Sequence, residues 1–312
     1  RKRAAREELW KGQSGYAFFH AKTDGIKRNS IRKIAYGALI EAEKIARERG
    51  IFKPYVGRED FDLDGLEEYL CMSNELNVYV HTIGGSVFEL DYLARAWNYL
   101  DTMGRYEEPY HGSLVQAAKT DAQARRSFVD RFAPLDYSFD RYNGGAQKGI
   151  IDLSEHVYEV CEYRRDHMEV SLTVPVTDHV RLTKTYVLSQ QTLSVEYEVA
   201  NTGDSDSFEM ALLSEMNLSF ASNHEEFLQI RAYGADGTVT ALRESVSSED
   251  VVSLEARDLK NAATIEVGFD GSVTLWSYPV ISHWFARSGS RMGYQCSTFV
   301  AGMPFVLGPG ES

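Results

Sequence analysis

The sequence predicts a mainly β protein, in which a large antiparallel β-sandwich follows a short α-helical segment. Three observations indicate this fold class. The first 50 residues carry apolar side chains at helical spacing, and the residues after them form apolar stretches of strand length. Gly, Asn and Asp separate these stretches, and no helical pattern lies between them as it would in a parallel sheet. We therefore divide the chain into a helical segment, residues 1–50, and a sandwich domain, residues 51–312.

The helical segment contains one clear amphipathic pattern, "SIRKIAYGALIEAEKIARERG". Ser30 can cap this helix and Gly50 can end it. Residues 4–11 predict a shorter helix that the "KGQSG" turn ends. Two helices cannot enclose a core, so we expect them to pack on something larger. With Lys and Arg placed on the opposite side, the predicted apolar face consists of Ile31, Ile34, Ala35, Leu39, Ala42, Ile45 and Ala46.

The strands are predicted from alternation and from turn residues. In "TLSVEYEVA", Leu193, Val195, Tyr197 and Val199 alternate with polar residues, which is typical of a half-buried strand. The segments "HVRLTKTYVLS", "FEMALLSEMNLSF", "ATIEVGF", "SVTLWSYPV" and "STFVAGMPFVL" predict further strands. The interval 112–130 fits either a short helix or a long loop.

Composition excludes several classes of protein. The 312 residues carry a formal net charge of -13. Binding of nucleic acid requires a basic face, so we do not expect a nucleic-acid-binding protein. No apolar run is long enough to cross a bilayer, and no hydrophobic segment follows the basic start as in a signal peptide. The three cysteines stand far apart without a CxxC motif, which favours a reducing compartment. We expect a cytoplasmic protein.

The stretch "DFDLDG", residues 60–65, is typical of the start of a calcium loop. In the EF-hand template, the glycine makes the turn and a bidentate Glu stands at position 12, where this chain has Cys71. A shorter loop therefore fits better than an EF-hand. The alternative is a solvated acidic turn that leads into a strand. The predicted ligands of a structural calcium ion are Asp60, Asp62, Asp64, the Leu66 carbonyl and Glu68.

Several blocks, taken in order, resemble a known family. They are "GGSVFELDYLARAWNYLDTMGRYEEPYH", "RRSFVDRF", "SEMNLSF", "LWSYPVISHW" and "GYQCSTFVAGMPF". They resemble the C-terminal sandwich of family 57 glycoside hydrolases of the α-amylase and 4-α-glucanotransferase type. "GQSGYAFFHA" and the helix after it resemble the segment that joins the catalytic barrel of that family to its sandwich. The resemblance implies a galactose-mutarotase-like supersandwich.

The resemblance also implies which part of the enzyme this chain represents. In the family, the two catalytic carboxylates lie on a distorted (β/α) barrel that precedes the segment matched here, and nothing in residues 1–312 matches the motifs of that barrel. The chain also starts at Arg1 without a methionine. We therefore expect the non-catalytic C-terminal half of an α-glucan-active hydrolase or glucanotransferase. Its expected partners are an α-glucan or oligosaccharide and the missing N-terminal barrel.

The block before the long helix departs from the pattern of the family. Relatives show a stretch similar to "QCNDAYWHG", whose Asp and Trp reach the substrate. Here only Gln13 and His20 match, while Tyr16 replaces the Asp and Phe19 replaces the Trp. A phenol only partly imitates a carboxylate acceptor, and phenylalanine offers a smaller stacking face than indole. The resemblance makes these four residues candidate sugar contacts, and simple helix packing of "YAFFH" is the competing interpretation.

A second function remains open, that of a free-standing sugar-binding or mutarotase-like sandwich. Such a protein needs a histidine and a glutamate as acid and base, and His111 with Glu215 are the candidates. His111 is also a candidate sugar contact. Other polar residues flank the "GGSVFELD" and "WNYLD" blocks and could either bind sugar or hold loops in place: His81, Glu89, Asp91, Arg95 and Asn98. The full gene sequence would distinguish the two functions. A barrel with two suitable carboxylates encoded upstream supports the accessory half of an enzyme, and its absence supports the free-standing sandwich.

Overall fold

A computed structural model describes residues 2–19, 25–48, 52–107, 119–286 and 289–312. The helices are α1 (Lys2–Gly12), α2 (Asn29–Arg47) and α3 (Phe139–Asn143). The strands are β1 (Tyr55–Glu59), β2 (Glu68–Met72), β3 (Leu76–His81), β4 (Ser86–Tyr92), β5 (Trp97–Asn98), β6 (Val129–Ala133), β7 (Ile151–Asp152), β8 (Glu159–Arg164), β9 (Glu169–Pro175), β10 (Val180–Ser189), β11 (Thr192–Asn201), β12 (Phe208–Leu218), β13 (Leu228–Gly234), β14 (Val239–Ala241), β15 (Val246–Asp258), β16 (Ala263–Ala286) and β17 (Gly289–Leu307).

These strands form three sheets. Strands β1 to β5 make a five-stranded meander in chain order. A four-stranded sheet has the order β11-β10-β9-β8, and an eight-stranded sheet has the order β14-β13-β15-β16-β17-β12-β6-β7. The pairings recorded among the described residues are antiparallel. The predicted fold class, an antiparallel β protein with a helical start, is therefore confirmed.

The burial pattern of strand β11 confirms the predicted alternation of apolar and polar residues. Leu193 and Val195 are half-buried, whereas the intervening Ser194 is exposed, and the same alternation continues along the strand. Strand β11 pairs with β10 from Val180↔Asn201 to Ser189↔Thr192. Strands β10 and β11, joined by a two-residue connection, therefore form a hairpin. One face of this hairpin packs on the core.

The structure corrects the prediction for residues 263–280. "ATIEVGF" and "SVTLWSYPV" are one continuous strand, β16, and the Asp270–Gly271 gap is no turn between strands. Gly271 has a φ of 103°, and the register with β15 shifts around Val251. Strand β16 pairs with β15 on one side and with β17 on the other. A bulge within β16 therefore keeps more of its interstrand hydrogen bonds than a turn between two separate strands would.

The interval 112–130 contains a strand at its end. Residues 108–118 lie outside the described residues. From residue 119 the chain runs without a helix to Val129, where β6 begins, and Ser127 makes an isolated antiparallel bridge with Val87.

Helix α2 also differs from its prediction. Ser30 lies inside the helix, and Arg28 precedes it without a side-chain cap. The predicted orientation of the basic residues was wrong, because Arg32 and Lys33 are buried while Ile34 is 72% exposed. The two charged side chains point inward because they bind buried acceptors: Arg32 donates to Asp101, and Lys33 donates to backbone carbonyl groups. Helix α1 packs against α2, where a Cβ on Gly12 would meet the Leu39 side chain at 2.5 Å.

The main core lies between the three sheets. It combines Val78 from the five-stranded sheet, Leu182 from the four-stranded sheet and Leu212 from the eight-stranded sheet. The adjacent Leu213 belongs to a second, smaller cluster with Trp276 and Val300. Since successive strand residues point to opposite faces, the eight-stranded sheet is covered on both sides. The division into residues 1–50 and 51–312 stays a prediction.

None of the helices in the described part of the chain has the length and hydropathy that a membrane-spanning helix needs.

Candidate functional site

The "DFDLDG" loop connects β1 to β2, and its aspartates bond to its own backbone. Asp60 Oδ2 accepts from the Gly65 N–H at 3.2 Å, Asp62 Oδ1 from the Asp64 N–H at 3.2 Å, and Asp64 Oδ1 from the Leu66 N–H at 2.8 Å. Gly65 has a φ of 92°, which glycine adopts without steric cost. Aspartates at alternate positions thus fold the loop through local side-chain turns.

Four side chains from this loop and the following hairpin converge. The ligand atoms of Asp62, Asp64, Glu68 and His81 all lie within 4.8 Å of one another. His81 Nε2 lies 3.5 Å from Asp62 Oδ2, 3.4 Å from Asp64 Oδ2 and 3.5 Å from Glu68 Oε1. Glu68 and His81 face each other as a register pair of β2 and β3, so the hairpin fixes one side of the cluster and the loop supplies the other.

The electrostatics of this cluster are dominated by carboxylates. Glu68 is fully buried, and its burial raises the pKa of its carboxyl group. The negative charge of Asp62 raises this pKa further. A hydrogen bond from the Phe61 N–H to Glu68 Oε2, at 2.5 Å, opposes this rise. The basic residue of β1, Arg58, pairs with Glu67 instead of the cluster.

Three of the predicted metal ligands, Asp62, Asp64 and Glu68, therefore come together. Asp60 is exposed and lies outside this group. The Leu66 N–H donates to Asp64, and the Leu66 carbonyl stays a predicted ligand. His81 was missed as a member of the site. The only sequence signal for it would have been the register of the β2–β3 hairpin, which pairs it with Glu68.

The candidate sugar contacts before α2 are on the surface. Gln13 is exposed, Tyr16 is 45% exposed and Phe19 is 69% exposed. Trp10 and Phe18 are exposed nearby, and in the turn Gly15–Ala17 only Ala17 is buried. Sugar contact and helix packing both stay predictions for this segment. His20 lies outside the described residues.

Glu215, the candidate acid–base residue, lies in β12 within a buried network of charges. It accepts hydrogen bonds from Arg131 Nη1 at 3.0 Å, from Asn217 Nδ2 at 2.8 Å and from the Tyr142 hydroxyl, with Arg125 Nη1 at 3.5 Å. Burial opposes ionisation, but the two guanidinium groups and these hydrogen bonds outweigh it and lower the pKa of Glu215. A carboxylate held ionised in this way is a weak general base. His111 lies outside the described residues.

Polar residues around the "GGSVFELD" block form an internal network. Asp91 accepts hydrogen bonds from Asn77 Nδ2 at 3.0 Å and Asn98 Nδ2 at 2.9 Å, and Asn77 also donates to Glu43 of α2. Burial raises the pKa of Asp91 to about 6. These residues join α2 to β3, β4 and β5, while Arg95 is exposed.

Glu89, on β4 beside Asp91, provides a test of this network. Burial and the charges of Asp91 and Asp101 raise its pKa well above the usual range. Because the folded state holds the proton more tightly than the unfolded chain, stability falls as pH rises above the unfolded pKa of about 4.3 and stays lower at neutral pH. Glu89→Gln should therefore raise the melting temperature by a few degrees at pH 8 and change it little at pH 4. Glu59→Gln, at an exposed position of the same sheet, should change neither value. A melting temperature that falls at pH 8 would contradict the prediction.

Comparison with known proteins gives the same assignment as the resemblance. Residues 60–123 and 113–283 match the family model described as alpha-amylase/4-alpha-glucanotransferase, C-terminal. Alpha-amylase 1 of Dictyoglomus thermophilum is 24% identical over 96% of this chain and 46% of its own length. The 4-alpha-glucanotransferase of Thermococcus kodakarensis is 20% identical over 91% of this chain and 43% of its own length.

A solved structure shows the same fold. The crystal structure of 4-alpha-glucanotransferase from Thermococcus litoralis aligns with a TM-score of 0.79 and 20% identity, over 97% of this chain and 44% of that chain. The chain thus spans less than half the length of these relatives. Since the family match covers well over half of the sequence, the chain belongs to the family of alpha-amylase/4-alpha-glucanotransferase C-terminal domains.

Proposed function

We propose that this chain is the non-catalytic part of an α-glucan-active glycoside hydrolase or glucanotransferase, where it supports the catalytic barrel and contacts the carbohydrate. The observation that carries the proposal, beside family membership, is the exposure of Gln13, Tyr16 and Phe19 ahead of α2. Aromatic faces pack on sugar rings and an amide can bond to hydroxyl groups. We place the protein in the cytoplasm, because Cys71, Cys161 and Cys296 are free thiols.

The chemistry of glycoside cleavage requires two carboxyl groups that face each other across the scissile bond. Glu215 is held by Arg125 and Arg131, and Asp91 is held by two asparagines, so these buried carboxylates already have partners. The ionised state of Glu215 favours the accessory function over the mutarotase-like alternative.

The purified chain alone should neither cleave nor transfer α-1,4-glucans. Incubation with maltoheptaose should release no reducing sugar and produce no longer oligosaccharides, as measured by a reducing-end assay and chromatography. Turnover that disappears when Glu215 or another carboxylate of this chain is replaced would overturn the proposal.

The same chain should bind maltoheptaose weakly in titration calorimetry. The double substitution Tyr16→Ala/Phe19→Ala should weaken this binding several-fold, because it removes both exposed rings. Tyr106→Ala is the matched control, since Tyr106 is 51% exposed and lies outside this segment. Equal affinities in the double variant and the parent would contradict a sugar contact at these residues.

A further inference from the structure

We propose that Asp62, Asp64 and Glu68 bind a divalent cation of the calcium type, and that His81 faces this site without ligating the ion. The proposal concerns the loop between β1 and β2 and does not depend on glucan binding.

In each of the three carboxylates, one oxygen accepts a backbone hydrogen bond and the other faces the site. Asp62 and Asp64 each use Oδ1 to accept a backbone N–H of the loop, and Glu68 uses Oε2 to accept the Phe61 N–H. The other oxygen of each group, Oδ2 or Oε1, is one of the three that lie 3.4–3.5 Å from His81 Nε2. Backbone hydrogen bonds thus hold three carboxylate oxygens toward one point.

The second observation is the burial of two unpartnered atoms at that point. Glu68 is 0% exposed and His81 is 1% exposed, and Glu68 Oε1 and His81 Nε2 are both buried without an aligned hydrogen-bond partner. A buried carboxylate oxygen without a partner is costly. A cation between Glu68 and the two aspartates would supply the missing interaction and balance charges that a single neighbouring imidazole cannot.

The hydrogen bond of His81 indicates its role. Its Nδ1 accepts the Ile83 N–H at 3.0 Å, so in the neutral ring the proton lies on Nε2, which points at the carboxylates. A histidine that ligates a metal normally donates through its other ring nitrogen, which is the opposite arrangement. The atoms that would ligate the cation are therefore carboxylate oxygens. A site made only of oxygen ligands favours a hard cation such as calcium, with water completing its coordination.

Binding would connect two parts of the fold. Glu68 and His81 sit at the end of the β2–β3 hairpin, and Asp62 and Asp64 sit in the preceding loop. An ion shared by loop and hairpin would hold residues 60–68 against the five-stranded sheet and stabilise the folded state by linkage.

The test is titration of calcium chloride into the whole chain after removal of metal with a chelator. We expect saturable binding and a melting temperature that rises with calcium. Asp62→Asn and Asp64→Asn, both at partly exposed positions where folding is not at risk, should weaken calcium binding at least tenfold and abolish the thermal shift. Glu67→Gln is the matched control, because it removes the same charge from the same loop at a side chain that pairs with Arg58. It should bind calcium as the parent does.

His81→Gln keeps a side-chain N–H donor and should retain more calcium affinity than His81→Leu. A parent that neither binds calcium nor gains thermal stability from it would overturn the site, as would equal calcium affinity in Asp64→Asn and the parent. Zinc that binds more tightly than calcium, and whose binding is lost in His81→Gln, would show ligation by nitrogen and overturn the oxygen-only assignment.

Discussion

Replacing Lys184 with methionine is expected to destabilise the protein by about 3–5 kcal/mol, the usual cost of leaving a buried charge without its partner. Lys184 and Asp130 form an ion pair in which both side chains are fully buried. The Lys184 ammonium group also donates to the Gly85 carbonyl at 2.9 Å and the Phe128 carbonyl at 2.6 Å.

The position of this lysine explains the size of the effect. Lys184 belongs to β10 of the four-stranded sheet, Asp130 belongs to β6 of the eight-stranded sheet, and Gly85 precedes β4 of the five-stranded sheet. One side chain thus links all three sheets. Methionine preserves much of the volume of lysine but leaves the buried Asp130 carboxylate without the ammonium group paired with it, although the Tyr158 hydroxyl still donates to it at 3.0 Å.

Chemical denaturation monitored by circular dichroism measures this effect. The double variant Lys184→Met/Asp130→Asn should recover part of the lost stability, because it removes the stranded charge as well. Lys260→Met, at an exposed turn position, is the control and should change stability by less than about 0.5 kcal/mol. If Lys184→Met is as mild as Lys260→Met, the buried pair does not hold the sheets together.

The second large effect is expected for Arg32→Met, which should cost about 3 kcal/mol. Arg32 Nε donates to Asp101 Oδ1 at 2.7 Å, and its guanidinium group also donates to Gln295 Oε1 at 2.9 Å and to the Ile26 carbonyl at 2.6 Å. The variant leaves Asp101 buried, with Lys33 at 3.7 Å as its remaining counter-charge.

Because Arg32 connects α2 to strand β17 and to the end of the five-stranded sheet, its loss should also loosen the helical segment. Limited proteolysis followed by mass spectrometry should detect faster cleavage in residues 1–50 than in the parent. Arg95→Met, at an exposed arginine, should leave the cleavage rate unchanged. Unaltered proteolysis and stability in Arg32→Met would show that the helices do not depend on this anchor.

Several features were predictable because neighbours in sequence decide them. The alternation of β11 follows from side chains two residues apart, and the structure reproduces it. The "DFDLDG" turn follows from aspartates that bond to backbone groups two to five residues away. The family was also recognisable from the sequence, because the order of its blocks survives in the chain.

Features decided by distant parts of the chain were not predictable from local pattern. Arg32 looked like a solvent-exposed residue of an amphipathic helix, but Asp101, 69 residues away, and Gln295, 263 residues away, make its burial favourable. Strand β16 looked like two strands, because its continuity depends on β15 and β17 beside it. Its length is a property of the sheet and not of the segment.

The candidate cation site divides in the same way. The acidic sequence by itself determined the loop and three of the converging carboxylates, since local turns aim Asp62 and Asp64 and the first residue of β2 supplies Glu68. Only the tertiary structure brought in His81, because the pairing of β2 with β3 places it opposite Glu68. Whether a polar side chain faces water or another charge depends on strand register and sheet packing, and periodicity along a single segment carries no information about either.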